Sequence, residues 1–161
     1  MRTPLRDDIE IIRKQLHIPE SKFKPIPHTT NWQVLEEKIY HTFCKLEHPN
    51  HRPIWLWTAF KNAYEAVSLE TDPYLSLHKL VDEKETVWFM VNESVAGKGE
   101  KFWFYEGKVV AIQTIIAETT YLDEMYLISK KYEWILCINH HDCIIGSGQS
   151  IVDKLIQLKH S

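Results

Sequence analysis

The sequence contains no long uninterrupted run of hydrophobic residues, which argues against a protein that spans a membrane through helices. No apolar run approaches the roughly 18 residues that a membrane-spanning helix requires. The first ten residues, MRTPLRDDIE, also lack the apolar centre of a signal peptide. We therefore expect a cytoplasmic protein that has no membrane partner.

Glycine, proline and cysteine are also scarce. Only 5 glycines and 7 prolines occur among the 161 residues, which leaves little room for low-complexity linkers. A chain of this length can bury a core of its own, so we expect a single domain over residues 1–161. The 3 cysteines make an odd number in a chain with no export signal, so a framework of disulfides is not expected.

The chain has no excess of positive charge. It carries 19 lysines and arginines against 22 aspartates and glutamates, for a net charge of −3. Proteins that bind nucleic acids generally present a basic surface to the phosphate backbone. We therefore expect no nucleic-acid partner, and the sequence indicates no oligomeric state.

Residues 1–82 show a mainly helical pattern. A helix start at Thr3 is followed by apolar residues at three- and four-residue spacing. Thr30 or Asn31 can cap a second helix. The spacing of apolar residues in 59–69 also predicts a helix.

In residues 83–161 the hydrophobic pattern changes to the period of two that is typical of strands. It predicts antiparallel strands at residues 86–91, 101–106, 124–129, 132–138 and 143–146. Residues 107–119 fit either a strand or an amphipathic helix, and their length favours the helix. Ser150 and Asp153 form a capping box for a last helix. The expected fold is α+β, with N-terminal helices followed by an antiparallel sheet of about five strands, one inserted helix and one closing C-terminal helix.

Metal-binding residue types concentrate in the segment CINHHDC at residues 137–143. A hairpin with a four-residue turn over 139–142 would place Cys137 and Cys143 on opposite faces of the sheet, where they cannot share an ion. A continuous strand would instead bring both cysteines and His141 to one side. Because the spacing matches no common zinc pattern, we expect no metal and no other cofactor.

The histidine pair within this segment is a candidate active site. Turn chemistry explains Asn139 and Asp142, but it does not require two adjacent histidines. His140, His141 and Asp142 are therefore candidate catalytic residues, since imidazoles titrate near physiological pH. Glu118 is a candidate second carboxylate. The alternative is a solvent-exposed tip without a function.

Four other residues are candidates for binding. Trp55 and Trp57 would anchor a partner if they are exposed, and they belong to the core if they are not. Ser147 and Ser150 stand at the start of the last helix, where free backbone amides can hold an anion. Their alternative role is to cap that helix.

Three short motifs resemble those of a small uncharacterised domain family from Bacillus-type bacteria. They are WFYEG at 103–107, SKKYEW at 129–134 and NHHD at 139–142, and the likeness covers residues 86–158. More distantly, the order of helices and then sheet is similar to that of SMI1/KNR4-like immunity domains. That resemblance implies a small, acidic, cytosolic binder with no chemistry of its own.

Two functions are therefore expected from the sequence. The first is a non-catalytic, cytosolic module that binds another protein, in the manner of an immunity protein or antitoxin. The alternative is a small enzyme or ligand-binding protein that uses His140, His141 and Asp142, with an anion held at the start of the last helix.

Overall fold

The structure is a computed structural model that describes residues 4–93, 102–119 and 122–161. Its helices are α1 Pro4–Gln15, α2 Trp32–Phe43, α3 Leu77–Leu80, α4 Val109–Glu118 and α5 Gln149–Lys159, with 3-10 helices at Leu56–Ala59 and Pro73–Ser76. Its strands are β1 Phe23–Pro25, β2 Tyr64–Ser68, β3 Thr86–Glu93, β4 Trp103–Lys108, β5 Leu122–Ile128, β6 Ile135–Ile138 and β7 Cys143–Ser147. The α+β class is confirmed.

Within the described ranges the strands form one antiparallel sheet in the order β1-β4-β3-β5-β6-β7-β2. The expectation of about five strands is corrected to seven. The five predicted strands occupy the middle of the sheet, and β1 and β2 from the helical half add its two edges. The predicted order of helices first and sheet second is therefore only partly right.

The helix predicted for residues 59–69 is wrong. The chain forms a 3-10 turn at Leu56–Ala59 and then enters strand β2, which pairs with β7 from Tyr64 opposite Ser147 to Ser68 opposite Cys143. The spacing of apolar residues in this segment favours a helix when the segment is considered alone. In the folded protein, pairing with β7 satisfies the backbone hydrogen-bonding groups and buries Val67. Tertiary pairing therefore overrides the local pattern.

The sheet separates two hydrophobic cores because alternate residues of each strand point to opposite faces. One face carries Val87, Phe89 and Leu127, and it packs against helices α1, α3, α4 and α5. The other face carries Met90 and Tyr126, and it packs against α2 and the 3-10 turn before β2. Residues of the second face build the candidate site.

Two helix predictions are confirmed and one cap is corrected. Residues 107–119 contain helix α4, whose Ile112 and Ile115 are fully buried. Asn31 caps α2 as expected, and its side chain accepts hydrogen bonds from two backbone amides. Helix α5, however, begins at Gln149 after Gly148, and no side chain in the described part of the chain caps it. The predicted capping box of Ser150 is therefore wrong, because the N-cap position is Gly148 and the helix starts two residues earlier than predicted.

The hairpin of β6 and β7 has a register one residue away from the predicted one. Ile138 pairs with Ile144, and the Asn139 amide donates to the Cys143 carbonyl, so the loop contains three residues. Asp142 closes it with a φ of 57°, a left-handed conformation that aspartate tolerates. Because the loop has an odd number of residues, Cys137 and Cys143 lie on the same face of the sheet. The prediction that they lie on opposite faces is therefore wrong.

No helix within the described residues is long and apolar enough to cross a bilayer. The predicted helix start at Thr3 lies outside the described residues, and the helix itself is observed from Pro4.

Candidate functional site

Three segments meet at one end of the sheet. The turn of His140, His141 and Asp142 joins β6 to β7 there, and strand β3 ends there at Asn92 and Glu93. The 3-10 turn with Trp55 and Trp57 lies over the sheet face that carries Glu124, because the Trp57 indole donates a hydrogen bond to the Glu124 carboxyl group. The fold therefore brings two separate sets of sequence candidates, the tryptophans and the histidine tip, into one place.

The rings of Trp55 and His140 are in contact. Their centroids lie 4.6 Å apart with an interplanar angle of 38°, and the ring of His141 follows at 4.0 Å from that of His140. Buried Leu56 anchors the segment between the two tryptophans, and the Thr58 hydroxyl donates to the Trp55 carbonyl at 2.6 Å. The aromatic surface thus has a fixed support beneath it.

Beneath this surface lies a buried carboxyl group, that of Glu124. The residue is only 1% exposed. Trp57 Nε1 donates to its Oε1 at 2.7 Å, and its backbone amide donates to Asn92 Oδ1 at 3.0 Å. The second oxygen, Oε2, has no hydrogen-bond partner among the residues that the structure describes. Buried polar atoms are nearly always paired, so a free acceptor marks this position as unusual.

Burial raises the pKa of the Glu124 carboxyl to about 7. Removing a carboxylate from water disfavours its charged form, and Asp123 next to it acts in the same direction. The hydrogen bond from Trp57 and a smaller contribution from the backbone amide of His140 oppose the shift, because both stabilise the ionised form. The carboxyl is therefore poised to exchange a proton at neutral pH.

His140 is a titratable partner of this carboxyl group. Its Nδ1 lies 3.9 Å from Glu124 Oε1, which allows an ion pair when the imidazole is protonated. Its side chain keeps 28% of its surface exposed, so one imidazole connects the buried carboxyl to solvent. The arrangement can bind a ligand through ring stacking, and it can exchange a proton with that ligand.

Asn139 has a structural role in the turn. It is buried, and its Oδ1 accepts hydrogen bonds from the amides of His141 at 2.9 Å and Cys143 at 3.0 Å. These bonds fix the backbone of the turn, which is exposed at His141 and Asp142 and which holds the His140 ring over Glu124. The predicted turn chemistry of Asn139 is confirmed.

Two of the three cysteines, Cys44 and Cys137, are buried where the nucleophilic thiolate is disfavoured. Burial raises the pKa of the Cys44 thiol to about 12, and it raises the pKa of Cys137 well above its usual value. Thiols with such values stay protonated at neutral pH. Across the described part of the chain, no group of three or more histidine, cysteine, aspartate or glutamate residues could hold a metal ion.

The remaining candidates lie elsewhere. Glu118 is exposed at the end of α4, on the opposite face of the sheet from Glu124. Ser147 is fully buried, and its hydroxyl donates to the Ala63 carbonyl at 3.1 Å. Ser150 is exposed in the first turn of α5. The structure therefore brings neither Glu118 to the histidine tip nor the two serine hydroxyls to a common surface.

A comparison with known families identifies the group to which this chain is related. A family model described as a family of unknown function, DUF6756, matches residues 1–159. The chain belongs to DUF6756. The match includes the helical half, so the relationship extends beyond the residues 86–158 that carry the sequence motifs. The chain matches no curated protein and no solved structure.

Two residues of the candidate site in this DUF6756 member, Glu124 and Asn92, were not among the sequence candidates. A signal for Glu124 was present, because the glutamate alternates with Tyr126 and Ile128 on a predicted strand and so falls on an apolar face. A charged residue in that position is seldom fully buried without a special environment. Asn92 gave no comparable signal, since asparagine after a strand is common in turns.

Proposed function

We propose that this protein is a non-catalytic module that binds another protein through the end of the sheet that carries Ile54, Trp55, Trp57, His140 and His141. We call these five residues the tryptophan–histidine surface. The observation that carries the proposal is the stack of Trp55 on His140, directly above a buried carboxyl with a free oxygen.

The composition of the tryptophan–histidine surface favours a protein partner. Tryptophan is enriched among the residues that contribute most to protein interfaces, and its ring combines a large apolar area with one hydrogen-bond donor. Ile54 is 75% exposed beside it, the highest value among the large exposed hydrophobic side chains of the described residues. Trp55 and Trp57 are half-buried, so they are held in position before a partner arrives, which lowers the entropic cost of binding.

Charge and resemblance narrow the class of partner. A net charge of −3 favours association with a basic protein, because complementary charge accelerates encounter. The distant likeness to immunity domains suggests that the partner is a toxin or nuclease and that the two proteins meet in the cytoplasm of a bacterium. No nucleic acid, membrane or cofactor enters this proposal.

A second candidate function is catalysis or small-ligand binding at the same place. It is favoured by one observation, which is that the Glu124 carboxyl titrates near neutral pH at 3.9 Å from His140. In that case Glu124 would exchange a proton with the substrate, and His140 would relay it to solvent. Asp142 and Glu118 would have no part in the chemistry.

The protein-binding proposal is tested by co-purification from the native host with two matched variants. Ile54→Glu places a charge within the tryptophan–histidine surface, whereas Tyr64→Glu places one at a 61% exposed site at the opposite end of the sheet. We expect a stoichiometric partner with the wild-type protein and with Tyr64→Glu, and its loss with Ile54→Glu. Retention of the partner by Ile54→Glu, or its loss with Tyr64→Glu alone, would contradict the proposal.

A further inference from the structure

A second candidate site lies at the other end of the sheet. A cavity of about 690 Å³ opens between the loop after α1, the turn before β3 and the first turns of α4. Its lining includes His17, Lys22, Glu83, Lys84, Lys108 and Val110. Lys108 pairs with Thr86 at the start of β3, so the full length of that strand separates this cavity from Asn92 and Glu124.

The charge of this cavity differs from that of the whole chain. Three lysines and one glutamate line it, together with a histidine, although the protein carries a net charge of −3. Within the described residues, the side-chain ammonium groups of Lys22 and Lys84 form no salt bridge. An unpaired local excess of positive charge attracts an anion from solution.

Two hydrogen bonds connect the three chain segments that carry these lysines. The Lys108 amide donates to the Lys22 carbonyl at 2.9 Å, and Lys108 Nζ donates to the Lys84 carbonyl at 2.8 Å. The chain can approach this closely because residue 107 is glycine, since a Cβ there would lie 2.6 Å from the Lys22 carbonyl oxygen. The cationic side chains therefore come from three segments that are connected to one another.

Apart from Thr114, the rest of the lining is apolar. Ile18, Pro19, Val110 and Ala111 contribute to the cavity walls. The volume lies within the range of sites for small organic ligands and exceeds what a simple inorganic ion needs. A ligand that matches both parts of the lining has a multiply charged anionic group and an apolar body.

We propose that this cavity binds a small organic phosphate, with the phosphate held by Lys22, Lys84 and Lys108 and the organic part placed against Ile18 and Val110. A phosphate monoester carries close to two negative charges at neutral pH, which match the three lysine ammonium groups less the carboxylate of Glu83. The carboxylate of Glu83 repels additional negative charge, so it limits how many negative charges a ligand of this cavity can carry. This site is independent of the tryptophan–histidine surface.

The test is a titration of the isotopically labelled protein with phenyl phosphate, followed by NMR. We expect saturable shifts of the Val110, Ala111 and Thr114 amides, which line the cavity, and none at the His140 amide. The variant Lys22→Gln/Lys84→Gln should lower the affinity by at least about ten-fold, because two charge-assisted contacts are lost. The control Lys45→Gln/Lys79→Gln removes the same charge from exposed positions outside the cavity and should change the affinity less than about two-fold.

Four outcomes would overturn the proposal. They are saturable binding without shifts at the cavity residues, equal affinity for uncharged phenol, an equal loss of affinity in both double variants, and no saturable binding of phenyl phosphate by the wild-type protein. Inorganic phosphate provides the last comparison. It should bind more weakly than phenyl phosphate, and an equal affinity for the two would contradict a role for the apolar wall.

Discussion

At the scale of single residues, Glu124 carries a free-energy cost that packing alone does not explain. One carboxyl oxygen accepts a hydrogen bond from Trp57, and the other is buried without a partner in the described part of the chain. An unpaired buried polar atom typically costs about 1–3 kcal/mol. A glutamine or an apolar residue would avoid the charge at this position, so a contribution to stability does not account for the carboxyl.

The shifted pKa of Glu124 makes the stability of the protein depend on pH. Its folded-state pKa of about 7 lies above the ordinary value of 4.5, so the folded protein holds this proton more tightly than the unfolded chain does. The stabilisation is fully present below the unfolded pKa and is lost as the pH rises through 7. By linkage, the loss is on the order of 3 kcal/mol.

Glu124→Gln should therefore remove part of this pH dependence. We expect the free energy of unfolding of the wild-type protein, relative to that of the variant, to fall by on the order of 3 kcal/mol between about pH 5 and about pH 8. Urea denaturation at the two pH values measures it. Glu118→Gln, at an exposed position on α4, is the control and should follow the wild-type protein. Parallel pH profiles for the wild-type protein and Glu124→Gln would show that the buried carboxyl does not titrate in this range.

The residue types alone identified part of this site. Trp55, Trp57 and His140 stood out in the sequence because their side chains are typical of binding and proton transfer, and the fold places them together. Their contact with Glu124 could not be predicted, since it links positions 67 residues apart for Trp57. Such a contact follows from the sheet order, which local patterns do not encode.

At the scale of elements, the segments with a clear hydrophobic periodicity form the predicted helices and strands, whereas the two short edge strands were not predicted. The central strands and α4 each bury several large apolar side chains, so their periodicity is visible in the sequence. Strand β1 has only three residues, and β2 buries Val67 alone, so neither has a pattern that distinguishes it from a loop or a helix. Both exist because the neighbouring strands β4 and β7 offer unpaired edges.

The start of α5 provides a test at this scale. Gly148 has a φ of 111°, and a Cβ there would meet the Glu133 carbonyl oxygen at 2.4 Å. Gly148→Ala should therefore destabilise the protein by about 1–3 kcal/mol or more, through backbone strain and a clash. Thermal or urea denaturation measures the change.

Ser150→Ala is the informative companion variant. A capping serine would cost about 1 kcal/mol on removal. Because Ser150 lies exposed inside the first turn of α5, we expect a change within about 0.5 kcal/mol. A loss as large as that of Gly148→Ala would restore the capping box that the sequence predicted.

At the scale of the whole molecule, the two candidate sites occupy opposite ends of one sheet. The tryptophan–histidine surface lies where β3 ends, and the lysine-lined cavity lies where β3 begins. The rigid sheet between them places a surface suited to a protein partner at a fixed separation from a cavity suited to a small anion. The two sites can therefore be tested independently, because a substitution at one lies a strand's length from the other.

Photo-crosslinking in the native host tests most directly whether the tryptophan–histidine surface binds a protein. A photoreactive amino acid is placed at Ile54 or His141, which flank the Trp55–His140 stack, and in separate variants at Tyr64 or Ile156, which are exposed elsewhere. We predict that positions 54 and 141 crosslink to the same protein and that positions 64 and 156 do not. Crosslinking from position 64 or 156 in place of 54 and 141, or no crosslink from any of the four, would contradict the assignment of the tryptophan–histidine surface as the binding site.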